Sequence, residues 1–138
     1  MLGAIAAATL VVVVLWIWSE LLITRSYPLA PETARAGPAQ MATEGRRLAK
    51  LYGCTSCHGP DLRGEGDKPG PGLGRNYAPN LTLAAARYSD EQLAQAIRQG
   101  VRPSDGRALW GMPAQTLMHL TAEEMSTVLA FIRAHPPA

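Results

Sequence analysis

The segment Gly53-Cys54-Thr55-Ser56-Cys57-His58 constrains this chain more than any other stretch. The spacing C-x-x-C-H is the attachment signature of a covalently bound c-type haem. The chemistry accounts for the spacing. Two thiols add to the two vinyl groups on one edge of the porphyrin, and the histidine that follows reaches back to the iron as proximal ligand. A C-x-x-C pair alone also suits a thioredoxin-like redox centre, but that needs a βαβ setting, and none is visible. A tetrahedral zinc site would use Cys54, Cys57 and His58 with a fourth donor. Only His119, His135 and carboxylates remain for that role, without the usual paired spacing. The motif therefore predicts a haem.

The remaining sequence bounds the rest. Both cysteines of the 138-residue chain lie in this motif, so no structural disulfide is expected. The formal net charge is only +2, too little to imply a strong field for steering a diffusing partner. There is no basic tract and no basic patch interleaved with aromatics, so nucleic acid is not an expected partner.

Residues 2–23 are nearly continuously apolar, with a run of valines at their centre. About 20 apolar residues span a bilayer. Trp16 and Trp18 sit near the carboxyl end, where an interfacial aromatic belt would place them, and Arg25 follows within snorkelling reach of the headgroups. A cleaved signal peptide is the alternative. Against it, the amino-terminal residues carry no Lys or Arg, and no small-residue cleavage site closely follows the run. Residues 1–24 are thus expected to form a transmembrane anchor helix. Gly3, Ala4, Ala6, Ala7 and Ala8 give its first third a small surface suited to helix packing. Glu20 lies either within the span or in the headgroup layer.

Residues 25–40 hold Pro28, Pro31, Gly37 and Pro38, which break any helix. They are expected to form a proline-rich linker, a semi-extended tether reaching about 50 Å that either lets the following domain swing or is pinned along a neighbouring subunit. The haem domain then occupies residues 41–138. A first helix is expected over residues 43–52, with Thr43 as N-cap and Leu48, Leu51 and Tyr52 on one side. Gly45 is an unusual residue for its interior and suggests close approach of another helix. Residues 61–79 are a loop rich in glycine and proline. Its Asp67-Lys68-Pro69-Gly70 does not match a phosphate-binding loop. Ser89 and Gln92 predict a capping box for a helix over residues 89–99, with Leu93, Ala96 and Ile97 inward and Gly100 as its left-handed stop. Thr121 and Glu124 predict a second box, opening a last helix lined by Met125, Val128, Leu129 and Ile132. No strand pattern appears, so the domain is read as all-α.

Assembled, these residues resemble a small class I c-type cytochrome over about residues 43–134. The resemblance implies an all-α class I cytochrome c fold, here preceded by a single transmembrane helix, with one covalent haem c. It implies that the carbonyl of Pro79, in Pro79-Asn80-Leu81, accepts the proximal His58 ring N–H. It also implies that Gly45 and Phe131 form the crossing of the first and last helices. Gly111-Met112-Pro113 resembles the distal-ligand segment. Met112 is the choice for sixth ligand, in a loop stiffened by Pro113. Met118 and His119 are rivals, and Met125 is read as core. The site residues are then Cys54, Cys57, His58 and Met112, with His58 and Met112 on the iron.

Residues 78–82, together with Asp105-Gly106-Arg107, Trp110 to Pro113 and Leu120-Thr121, are similar to cytochrome subunits of membrane-associated dehydrogenases. Those relatives often carry several haem motifs, and this chain has one. The resemblance implies an electron carrier rather than an enzyme, in the bacterial cytoplasmic membrane with the haem domain on the periplasmic side. The expected partners are the membrane and other redox subunits, with no small-molecule substrate of its own. A tethered shuttle between separate complexes is the main alternative. A haem sensor or peroxidase would need an open distal site, and a mainly structural subunit would need no redox role for the haem.

Overall fold

The computed structural model describes residues 2–64 and 77–138. The phosphate-loop comparison at residues 67–70, and most of the glycine-rich loop, lie outside them. The described elements are helices and turns, with no strand among them.

Helix α1 (Leu2–Thr24) is long and apolar enough to cross a membrane over the 22 residues from Gly3, and none of it is buried within the protein. At 1.5 Å per residue it extends about 33 Å, close to the thickness of a bilayer core.

The domain is built on a crossed pair. Helix α2 (Ala42–Leu51) follows a single 3₁₀ turn at Ala39–Met41 and packs mainly on helix α7 (Ala122–Arg133). Gly45 makes this approach possible. A Cβ there would lie 2.3 Å from the Thr127 carbonyl oxygen and 2.7 Å from the Phe131 Cβ. The expected glycine–aromatic crossing is therefore present. Helix α2 departs from expectation in two details. Met41, not Thr43, occupies its N-cap position, with no side-chain cap, and Leu51 is exposed while Leu48 and Ala49 are buried.

Helix α7 is the centre of the core rather than one wall of it. Met125, Val128, Leu129 and Ile132 are buried as expected, but so are Thr127, Ala130 and Phe131. Its capping box forms as read, and Glu124 also accepts the Tyr52 hydroxyl at 2.7 Å, joining the end of α2 to the start of α7. That bond holds the Glu124 carboxyl below the usual carboxylate range. Helix α5 (Asp90–Gln99) carries the other predicted box and ends at Gly100 with φ +62°. Its inward residues are Leu93 and Ala94, with Ala96 and Ile97 half-buried. Two short helices were not anticipated. Helix α4 (Leu81–Arg87) is capped by Asn80, whose side chain accepts from the Thr82 and Leu83 amides. Helix α6 (Ala114–Leu117) is a single turn after Pro113.

Residues 25–40 correct the expectation of a swinging tether. They form a strap tied along the domain they precede. The Tyr27 amide donates to the Gly106 carbonyl at 2.7 Å. The Ala30 amide donates to Gln99 Oε1, and the Ala30 carbonyl accepts from Gln95 and Gln99. Glu32 pairs with Arg98 in a mostly buried bridge, Arg35 pairs with Glu91, the Ala36 amide donates to Asp90 Oδ2, and the Gly37 amide donates to the Ser126 carbonyl. A proline-rich segment has few internal partners for its backbone, so these groups pair with the domain surface instead.

Asp90 is the acid-sensitive point of this strap. Burial alone would raise its carboxyl, but the Ala36 amide and the Arg133 and Arg35 guanidiniums outweigh it and hold it below the usual carboxylate range. A lowered folded value contributes stability that is present above the unfolded value and lost as pH falls through the folded one. Acidification below about pH 4 is therefore expected to loosen the strap at Ala36. Amide exchange at Ala36 should accelerate about tenfold on Asp90→Ala at neutral pH, the scale of one hydrogen bond to a charged group. Unchanged exchange at Ala36 in the variant would show that Asp90 does not hold the strap.

Candidate functional site

The haem motif forms helix α3 (Cys54–His58), one short turn opened by Gly53 at φ +78°. That left-handed residue breaks the chain from α2 and redirects it at once into the motif. Cys54 is half-buried and Cys57 exposed.

His58 Nδ1 lies 2.8 Å from the Pro79 carbonyl oxygen. A carbonyl only accepts, so the proton sits on Nδ1 and the Nε2 lone pair is left for a metal. Burial pushes the imidazole below its ordinary value, and the Pro79 carbonyl opposes this in part. Burial prevails and favours the neutral ring, while the Pro79 contact fixes its orientation.

Two backbone bonds hold that arrangement. The Gly64 amide donates to the His58 carbonyl and the Leu81 amide to the Leu62 carbonyl, each at 2.8 Å. Gly64, at φ +84°, leaves no room for a side chain, since a Cβ would stand 2.6 Å from the Ala78 carbonyl oxygen and 3.0 Å from the Asn80 nitrogen. Leu62 is fully buried with φ +61°, a left-handed conformation costing a leucine about 1–2 kcal/mol. Its burial is worth about 1.5–3 kcal/mol, enough to hold it there. The role of Leu62 was not legible in advance, because nothing in a loop sequence marks a leucine for this backbone region.

Met112 lies in a tight turn. Its amide donates to the Leu109 carbonyl, and the Ala114 amide donates to the Met112 carbonyl at 2.8 Å. It is half-buried against the core cluster on which Cys54 also packs. Its rivals differ. Met118 is 55% exposed and His119 is also exposed. Among the described residues, no group of three or more His, Cys, Asp or Glu side chains could hold a metal ion, so the tetrahedral zinc alternative gains no support.

The donor set thus fits a haem, with two thiols on one helical turn and an imidazole nitrogen left free by an oriented ring. Comparison with known proteins agrees. Residues 42–136 match the family model for cytochrome c. The chain is also 30% identical over 118 residues to the fructose dehydrogenase cytochrome subunit of Gluconobacter japonicus, covering 78% of this chain and 24% of that protein. This chain therefore spans about a quarter of that relative's length. No solved structure matches it significantly. The chain belongs to the cytochrome c family, and it carries a covalently bound haem c through which it transfers electrons.

Proposed function

We propose that the protein is a membrane-anchored electron-transfer subunit of a dehydrogenase or respiratory redox complex, with His58 and Met112 as axial ligands. Helix α1 crosses the bacterial cytoplasmic membrane and the haem domain lies on its outer, periplasmic face. The observation that carries this reading is the join between helix and domain. An apolar helix of membrane-spanning length runs directly into a strap hydrogen-bonded to the haem domain. Such a join favours a fixed position beside a partner over a domain moving between separate complexes. The similarity to a dehydrogenase cytochrome subunit points to the same class of partner.

The haem supplies one-electron chemistry. The chain's own residues do the rest. Pro79 holds the His58 ring in one tautomer, the core excludes water from one side of the site, and Met112 offers a thioether from a constrained loop. A thioether raises the potential relative to a second imidazole.

Met112→Ala is expected to leave the haem attached, lower its potential and admit carbon monoxide to the ferrous protein. An unchanged visible spectrum and potential would move the sixth ligand to Met118 or His119. The partner is tested by purifying the native protein from detergent-solubilised membranes. Dehydrogenase or oxidase subunits should accompany it, and its recovery alone would favour the shuttle.

A further inference from the structure

The strap meets the domain at one particular place. Residues 101–108 fold back on themselves, with the Val101–Ala108 bridge, the Arg102 amide bonded to the Arg107 carbonyl and the Gly106 amide bonded to the Arg102 carbonyl. The tip of this turn is where the chain leaving α1 docks. Ser26 bridges to Arg107, its hydroxyl donates to the Asp105 carbonyl, and Tyr27 bonds to Gly106. The contact is too close for a side chain at Gly106, where a Cβ would lie 2.9 Å from the Tyr27 carbonyl oxygen. Ser26 is two residues beyond the end of α1, within about 7 Å of it, and the tip is bonded directly to Ser26.

This turn carries charge that the fold does not consume. Arg25, Arg102 and Arg107 are exposed around it. Arg102 and Arg107 share one carboxylate, Asp105, at 3.0 and 3.8 Å, and Arg25 lies over the Tyr27 ring. Three guanidiniums against one carboxylate leave the tip at +2, on a domain whose other charges nearly cancel. Guanidinium forks match phosphate oxygens in geometry as well as charge.

We infer that the Arg102–Arg107 turn, with Arg25, is a docking surface for the phosphate groups of anionic phospholipids, and that it seats the haem domain on the membrane. The inference rests on the reading of α1 as a membrane span. Two observations choose lipid over a protein partner. The turn is continuous with the end of the apolar helix, and its sign complements an anionic leaflet. The arginine contact adds a second tie between the domain and the bilayer beside α1.

The test uses the full-length haem-loaded protein in nanodiscs of phosphatidylcholine alone or with phosphatidylglycerol. Ser104 is exposed at the tip, and the thiol introduced by Ser104→Cys reports on docking. Its alkylation by a neutral, water-soluble maleimide is followed by mass spectrometry. Each net positive charge near an anionic surface is worth roughly a fivefold shift in occupancy, so with the tip at +2 alkylation should slow by up to about thirtyfold when phosphatidylglycerol is present. Arg102→Gln with Arg107→Gln should restore the fast rate in the same discs. High salt should restore it without any substitution at the arginines, which keeps the result independent of how the double variant folds. Equal rates in both lipids would overturn the docking surface while leaving the anchor intact. Failure of the protein to enter nanodiscs at all would overturn the anchor reading and the docking surface together.

Discussion

Replacing both motif cysteines, Cys54→Ser with Cys57→Ser, is expected to leave the haem domain largely unfolded. The described core consists of few side chains, chiefly Leu48, Leu93, Leu117, Leu120 and the inner residues of α7. A domain of about a hundred residues is marginal when its core is small. Helix α3 has only five residues, and no side chain caps it. An isolated helix of that length does not hold itself together in water. The haem, once covalently attached, supplies apolar surface for α3 and the neighbouring loops to pack on, and losing it removes that burial at once. Limited proteolysis and far-ultraviolet circular dichroism of the full chain should show a protease-sensitive domain beside a persistent α1. A protease-resistant domain with a cooperative melt would mean that the polypeptide core suffices.

Gly45→Val is expected to have the next largest effect. The atoms a side chain would meet at Gly45 belong to the backbone of α7 and the Phe131 Cβ, neither of which turns aside by changing rotamer. The two helices would have to separate, and they form the main packing contact of the domain. Overpacking of this kind costs typically about 1–3 kcal/mol and more where the obstacle is backbone. The smaller Gly45→Ala regains about 1 kcal/mol of helix propensity, so it should be the milder variant. A loss of about 2 kcal/mol would lower the melting temperature by about 8–16 °C in a domain of this size. Unchanged melting of the Gly45→Val protein would mean that the α2–α7 crossing shifts freely, against the geometry of the pair.

What could be read before the fold was known were signals complete within a few residues. The cysteines and histidine of the motif must sit at fixed offsets to meet one porphyrin edge and its iron. Ser89 with Gln92 and Thr121 with Glu124 satisfy each other's backbone partners within one helical turn. Gly100 stops α5 through its own dihedral freedom, and α1 announces itself by composition alone. Helix α4 was missed because seven residues capped by a single asparagine carry little local signal.

The tertiary structure decided the rest, because the deciding partners are far apart in sequence. The strap's polar backbone had to be paired, but its partners on the domain surface are distant in sequence, as in the pairs of Ala36 with Asp90 and Gly37 with Ser126. Proline and small residues permit an extended path and say nothing of where that path is pinned. Leu62 holds a left-handed backbone because the core buries its side chain and the Leu81 amide donates to its carbonyl. The sequence by itself therefore determined the cofactor and the helices whose ends close locally. Only the fold determined that the linker is a strap and that it is pinned to the domain just beyond the carboxyl end of α1, since those depend on which distant surfaces meet.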